Sequence, residues 1–545
     1  MKNSIVYLLF CLSSILTYGQ PPTTFNLTNV NGENYVTSVK SQLGGTCWAF
    51  GSMAAMESNL LMTGNWEAQG EVGEPDLAEY HLDWWNGYNE YFNQDLEEAY
   101  NNGQGLETHM GGDYRMTTAY ISRLEGSVRE IDAESYDDPS ERNHPNHHKY
   151  YPKSVEWYNA GDDLSNIELI KYKIMEHGVM AVCMSYSNDF MSGINHYQPT
   201  WDNREPNHSV SIIGWNDNRE TQAPGPGAWL VKNSWGNDWG MAGYFWISYY
   251  DKHACKNPEM GAISFIDVDI LDYDTAYYHD YHGWRDTLTE VSEAFNAFIA
   301  NEDEDIVAVS FFTAGENVEY HVKIYGQFTD GTDGELLDER ISHVGMIEHS
   351  GFHTIDLPDY VTFLTGEKFY VYLELSHGGH PYDRTSFVPV LLGDVKAATK
   401  GMVPSTTKEK QSFYKENGSW LDFYHYDEPG DYQSTGSFCI KALAQHNHIM
   451  GLQAVDQKTG GFLNFAPNPF TSSASISYEI PEASIVEIEV YSIKGQMVEV
   501  LKSEKHMSGS HQISWNNNTL TTGVYFLNMK IDGQFYDQMK IVKVD

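Results

Sequence analysis

The chain of 545 residues is too long for one ordinary hydrophobic core, and its length alone suggests about three or four domains. Its 41% hydrophobic and 20% charged residues describe a soluble, globular protein. The formal charge of −43 would repel phosphate backbones, which argues against nucleic acid or an anionic membrane as a partner, and otherwise bears on solubility more than on chemistry.

Residues 1–19 place Lys2 before an apolar run from Ile5 to Leu16 and lead into "TYGQ", with the small Gly19 at a plausible cleavage point. These features predict a secretory signal peptide, too short and wrongly flanked for a stable membrane span. Cys11 follows Phe10 rather than a small residue, which speaks against a lipoprotein site. No later stretch reaches the roughly 18 apolar residues that a spanning helix needs, so no transmembrane segment is expected. Removing the signal leaves Cys47, Cys183, Cys255 and Cys439, too scattered for a disulfide scaffold, with at most one bridge expected.

In "SQLGGTCWAFGSMAAMES" and the residues after it, Phe50, Met53, Ala54, Leu60 and Leu61 fall near helical spacing ahead of Gly64. The pattern predicts a helix that starts at Cys47 and stops at Gly64. A thiol there meets unpaired N–H groups and the positive end of the helix dipole, and both favour the thiolate. Free cysteine is also among the most buried residue types, so the position alone leaves a packing role open. Further on, "NHPNHHKYY" at 143–151 gathers three histidines. A metal site and a cap over one end of a cleft are alternatives there, but a solvated loop is the expected reading.

Two apolar runs follow. "NHSVSIIGWND" opens on His208 and reads as a buried strand; after the Pro/Gly-rich "QAPGPG" comes "AWLVKNSWGNDWGMAGYFWISYY", with Asn233 just past a strand-like AWLVK. Singly, His208 suits a core or loop and Asn233 a turn. Together they supply two things a cysteine nucleophile needs, a base and a group that orients it, beside donors for an oxyanion.

"SQLGGTCWAF", "NHSVSIIGW" and "VKNSWGNDWGMAGYFWIS" occur in this order and resemble the three signature blocks of papain-like cysteine peptidases, over roughly residues 30–265. The resemblance implies that Cys47 is the nucleophile, His208 the general base and acid, Asn233 the group that orients His208, and Gln42 a side-chain oxyanion donor. Trp235 matches the indole that shields the His–Asn hydrogen bond. A neutral amide suits that role because it fixes the ring tautomer without discharging an imidazolium. The Cys47 N–H, a helix-start amide, would be the second oxyanion donor.

The chain departs from the family pattern in three respects. Gln42 and Cys47 are five residues apart where six is usual, and a further cysteine often found between them is missing; Gly44 and Gly45 would let the shorter loop keep Gln42 in reach. His208 lies 161 residues beyond Cys47, so insertions are expected between the blocks. The stretch between the signal and Cys47 is too short for the helical inhibitory propeptide of many relatives, so control of activity is expected from elsewhere or not at all. "THMGGDYRMTTAYISR" resembles the family's glycine segment, which implies that Gly111 and Gly112 line the cleft and let substrate backbone approach, while Val182 and Ser209 border the main specificity pocket.

From about residue 266 short β-rich runs alternate with turn signals, as in "IVAVSFFTA", "VEYHVKIYGQFTDGTDG" and "EKFYVYLEL", and predict a sandwich. This segment, with "YYHDYHGW" near its start, is similar to the lectin-like β domain that accompanies papain-like peptidases in some bacterial proteins. Exposed aromatics there would suit sugar stacking, although core packing accounts for most of them. "TDGTDGE" lacks the spaced ligands of a calcium loop and reads as a hairpin turn. After a linker containing "DQKTGG", the "PNPF" segment, "VYSIKGQMV", "GVYFLNMKIDG" and the terminal "KIVKV" resemble the C-terminal sorting domain of the Bacteroidetes type IX secretion system.

The expected architecture is therefore an α+β, papain-like, two-lobed catalytic domain followed by two all-β sandwich domains. Its parts are a signal peptide at 1–19, a peptidase domain at 20–265, a lectin-like sandwich at 266–445, a linker at 446–463 and an immunoglobulin-like sorting domain at 464–545. The expected activity is that of a secreted or cell-surface cysteine endopeptidase without cofactor or metal. Its expected partners are a peptide or protein substrate, the type IX machinery, and a glycan or cell-surface ligand on the sandwich. A degenerate peptidase scaffold that only binds, and an exopeptidase, are the competing readings.

Overall fold

The computed structural model describes residues 20–446 and 464–544, apart from residues 94, 97–103, 330–333, 390–391, 394–399, 428–431, 469, 481–482, 493–496, 517–519 and 532–533. The signal peptide, the "DQKTGG" linker and the centre of "TDGTDGE" lie outside the described residues. No helix among the described residues is long and apolar enough to cross a membrane. The chain divides into two compact units, residues 1–447 and 448–545.

The helix Cys47–Thr63 is the pillar of the first unit. It ends as its sequence predicts: Gly64 turns left-handed at φ 76° and its N–H donates to the Leu60 carbonyl. Every residue from Cys47 to Leu60 is buried, so the helix is enclosed on all sides rather than on one apolar face. Even Glu57 is buried, accepting from Lys40, Thr37 and the Leu77 amide.

The helix packs against a sheet in which the strands Ala262–Ile270, Met180–Met184, His208–Asn216, Ala228–Lys232 and Tyr244–Ser248 are successive antiparallel neighbours. Beyond Ala262–Ile270 the ladder continues into Tyr150–Tyr158 and then into Gly351–Phe363, Glu304–Thr313 and Ile440–His446. One hydrogen-bonded sheet therefore runs from the strands between residues 150 and 270 into those of the later β-rich segment. A boundary at 265/266 falls inside the strand Ala262–Ile270. The join is tight at Gly351, whose φ of 155° and position against the Val155 carbonyl leave no room for a Cβ.

A second, six-stranded sheet covers the later strands, in the order Glu335–Ile347, Val318–Thr329, Lys368–Leu375, Glu293–Ile299, Ser412–Glu416 and Ser419–Asp422. Val309 and Phe311 from the long sheet meet Val322, Ile324, Phe369 and Val371 from this one in a common core. Phe328 pairs with Leu336 across the ends of two of these strands.

"YYHDYHGW" staples the two halves. Tyr88 donates to the His282 carbonyl, Arg123 donates to the Tyr281 carbonyl, and Arg115 lies 4.4 Å from the Trp284 ring centroid. Lys441 and Asp280 form an ion pair at 0% exposure on both sides.

The second unit has a three-stranded sheet (Asn464–Ala466, Ser473–Ile480, Gly509–Asn516) and a four-stranded one (Met497–His506, Ser484–Ser492, Gly523–Ile531, Gln534–Lys543). Phe465, Ile476 and Trp515 from the first pack with Val486, Ile488 and Leu527 from the second.

Candidate active site

His208 opens its strand and Asn233 immediately follows the neighbouring antiparallel one, so the pairing of Ser211 with Lys232 brings both to the same sheet edge. His208 Nε2 lies 2.8 Å from Asn233 Oδ1. The Ser234 amide donates to the same Oδ1, also at 2.8 Å, which identifies that atom as the acceptor and leaves His208 Nε2 as the donor. The tautomer is thereby fixed: Nε2 carries the proton and Nδ1 is free to accept one. The Trp235 indole stacks on the imidazole at 4.4 Å and an interplanar angle of 24°, and Tyr186 lies edge-on to the indole at 4.6 Å.

Cys47 stands at the N-terminus of its helix and faces the same cleft, about 430 Å³ in volume, whose walls include Gln42, Tyr186, His208 and Trp235. The thiol is 1% exposed and the imidazole 4%. Burial pushes the thiol up to about 12 against the opposing pull of the backbone amides of Ser209, Trp48 and Cys47. Burial likewise takes the His208 imidazole down to about 4, although the bond to Asn233 works the other way. Burial thus favours the neutral form of both groups, while the backbone amides beside the sulfur favour its anion.

Gln42 is held at the rim. Its Nε2 donates to the Gly44 carbonyl at 3.0 Å and its Oε1 accepts from Ser234 Oγ at 2.7 Å, while its backbone N–H donates to the Ser234 carbonyl. The short loop closes because Gly44 adopts φ 64°, where a Cβ would strike the His109 carbonyl. Lys40 anchors the base of this loop to Glu57, Glu79 and Asp76. Ser234, which holds both Gln42 and Asn233, was contained in a signature block but carries no chemical signal of its own.

Val182 and Ser209 are buried, at 0% and 1% exposure, and Ser209 Oγ bonds to Tyr114 Oη at 2.6 Å. Gly111 and Gly112 form a short strand whose partner is Leu392–Gly393 from the later β-rich segment. No feature of the sequence signals that pairing. All four cysteines from residue 20 onward are free and buried, so no disulfide spans the site.

The three histidines at 143–151 do not converge on an ion: His148 bonds to Glu71 at 2.6 Å, and His147 lies edge-on to His81. Asp95, His282 and Asp383 do converge. Their donors are already engaged, with His282 bonded to Ser405 and the Gly87 carbonyl, Asp383 to Ser405 and the His282 amide, and Asp95 to Thr406. This group ties residues 87 and 95 to residues 282, 383, 405 and 406 through hydrogen bonds.

Family comparisons divide the chain in the same order. Residues 21–264 match the papain family cysteine protease model, 276–444 the lectin like domain, and 464–543 the secretion system C-terminal sorting domain. The chain is 30% identical to pro-cathepsin H of Bos taurus over 224 residues, which are 39% of this chain and 56% of that protein. It is 25% identical to cathepsin K of Mus musculus over 42% of this chain and 61% of that one, so it spans little more than half the length of these relatives. The protease and lectin-like domains of Cwp84, a surface layer associated protein of Clostridium difficile, superpose with a TM-score of 0.57 at 20% identity, covering 78% of this chain and 90% of that one. The form of Cwp84 described as following propeptide cleavage gives the same score over 75% and 97%. At that identity the likeness establishes the fold alone: a papain-like domain followed by a lectin-like β region.

Proposed function

We propose that this chain, with its papain-type, lectin-like and sorting domains, is an exported cysteine endopeptidase that cleaves peptide bonds through an acyl-enzyme on Cys47. The observation that carries the reading is the fixed tautomer of His208: Nε2–H is committed to Asn233 beneath Trp235, so Nδ1 is the basic nitrogen in the cleft that contains Cys47.

Cys47 gives its proton to Nδ1 as its sulfur attacks the substrate carbonyl, and the resulting imidazolium then protonates the leaving amine. The Gln42 amide and the Cys47 N–H steady the oxyanion between these steps. Asn233 keeps the ring in line but, being neutral, does not take its proton. Water then releases the acyl group with His208 again as base. Residues 1–19 would carry the chain across the inner membrane, and the sorting domain across the outer membrane by the type IX machinery, to the cell surface or medium. The lectin-like region is proposed to hold the cleft near a glycan or cell-surface protein.

The test is hydrolysis of end-blocked fluorogenic peptides under reducing conditions by the wild-type chain beside its Cys47→Ala variant, with titration by an epoxysuccinyl inhibitor. Cleavage by the wild type alone supports the reading. Failure of both cleavage and labelling at Cys47 would leave a binding scaffold, and stepwise loss from free peptide ends only would make it an exopeptidase.

A further inference from the structure

The backbone edge of Gly111–Gly112, expected to receive substrate, already has a strand on it. Leu392 and Gly393 pair antiparallel with Gly112 and Gly111, respectively. The contact extends to the opposite wall: the Gly393 N–H donates to the carbonyl of Asn207, the residue before His208, at 3.1 Å. Gly393 thus bridges the glycine segment and the arm that carries His208, and it lines the same cleft as Cys47.

The fit excludes any side chain at 393. A Cβ there would lie 2.4 Å from the Met110 carbonyl, 2.5 Å from Gly111 Cα and 2.8 Å from the Gly45 carbonyl, at a φ of 153°. Leu392 is fully buried in the peptidase core cluster, and its strand packs on both the Cys47 helix and the strand that carries Ser209. The complete burial of Val182 and Ser209 accords with a pocket that is already filled. The segment is strapped down on both sides. Ser386–Pro389 pairs with Lys400–Val403, Val388 and Val403 are buried in the same core, and Asn93 Nδ2 donates to the Pro404 carbonyl.

Resting on the peptidase reading above, we propose that Leu392–Gly393 is an internal substrate held in the cleft, and that the peptide bond on the C-terminal side of Gly393 is cut by Cys47. The sulfur adds to the Gly393 carbonyl carbon while its proton passes to His208 Nδ1. The C–N bond then breaks, and the departing amine takes that proton. Water hydrolyses the thioester to a Gly393 carboxylate and restores the thiol. The same geometry gives the substrate class for cleavage in trans: peptides with a branched apolar residue followed by glycine before the scissile bond.

The paired strands at 386–389 and 400–403 would hold the cut ends together, so the product must be read under denaturing conditions. The full wild-type chain and its Cys47→Ala variant are incubated with reductant and analysed by denaturing intact mass, with mapping of new termini. The expected result is a fragment ending at Gly393 from the wild type and none from the variant. A second variant, Gly393→Val, cannot seat its strand. It should stay uncut at this bond and label with the epoxysuccinyl inhibitor on the order of tenfold faster than freshly reduced, uncut wild type, because a ligand at the millimolar effective concentration of a short tether is gone.

A wild-type chain that hydrolyses added peptides yet keeps the bond after Gly393 intact overturns the inference and spares the peptidase reading. Absence of hydrolysis and labelling in both the wild type and Gly393→Val overturns both.

Discussion

His208 and Asn233 share a hydrogen bond of 2.8 Å whose direction is set by a third group, the Ser234 amide, which claims the same carboxamide oxygen. The bond positions the imidazole without supplying charge. Asn233→Ala is therefore expected to cost on the order of 100-fold in kcat, the size of a misplaced catalytic group, while His208→Ala and Cys47→Ala take turnover to background. Steady-state kinetics with one fluorogenic peptide checks the order; an Asn233→Ala variant at wild-type rate would remove the positioning role.

Gln42 sits at the rim with its Nε2 already donating once, to the Gly44 carbonyl, which leaves its second N–H for an oxyanion. Gln42→Ala should lower kcat by on the order of 100-fold with little change in KM. A variant with unaltered kcat and raised KM would make Gln42 a substrate contact instead.

Activity should persist well into acid. Burial lowers the His208 imidazole to about 4, so its basic form, the one proposed to accept the thiol proton, predominates above that value and is lost below it. The acid limb of kcat/KM is expected near pH 4. A limb at the ordinary histidine value near 6.5 would show that the ring is not desolvated in the working enzyme. The same sign holds for stability: the folded value is depressed below the unfolded one, so this histidine's contribution is complete above about 6.5 and declines as the pH falls towards 4.

Lys441 and Asp280 form an ion pair in the β-rich half with both side chains at 0% exposure. Lys441→Met would strand the Asp280 carboxylate, whose pKa burial already raises, and should destabilise the first unit by about 3–5 kcal/mol. Replacing both, Lys441→Met with Asp280→Leu, should recover much of that loss. Thermal or urea unfolding of the two variants checks the pair, and equal losses would mean that the charge left behind is not the cause.

What could be read from the sequence follows from the range over which each signal acts. The Cys47 helix was legible because apolar spacing and the Gly64 stop are local; its burial on every side was not, since Glu57 and Ser52 look solvated until Lys40, Thr37 and Thr117 appear beside them. Cys47, His208 and Asn233 stand out in the sequence because each lies in an ordered block, and the structure draws the last two together across one strand pair. The partner of Gly111–Gly112 was not, because a two-residue strand made between segments so far apart in the chain leaves no periodicity. Nor does anything in the later β-rich run announce that Phe352 and His353 pair with Val155 and Ser154.

The continuous ladder between the two halves of the first unit also defines a reach. Four strand steps separate Gly351–Phe363 from the strand that carries His208, which at ordinary spacing is roughly 20 Å of rigid cross-strand hydrogen bonding with no hinge in the path. Whatever the outer β region grips, the cleft then stands at one height above it and in one orientation. Bonds would be chosen by where they lie on a surface as well as by their flanking residues, a form of selectivity that short soluble peptides cannot report.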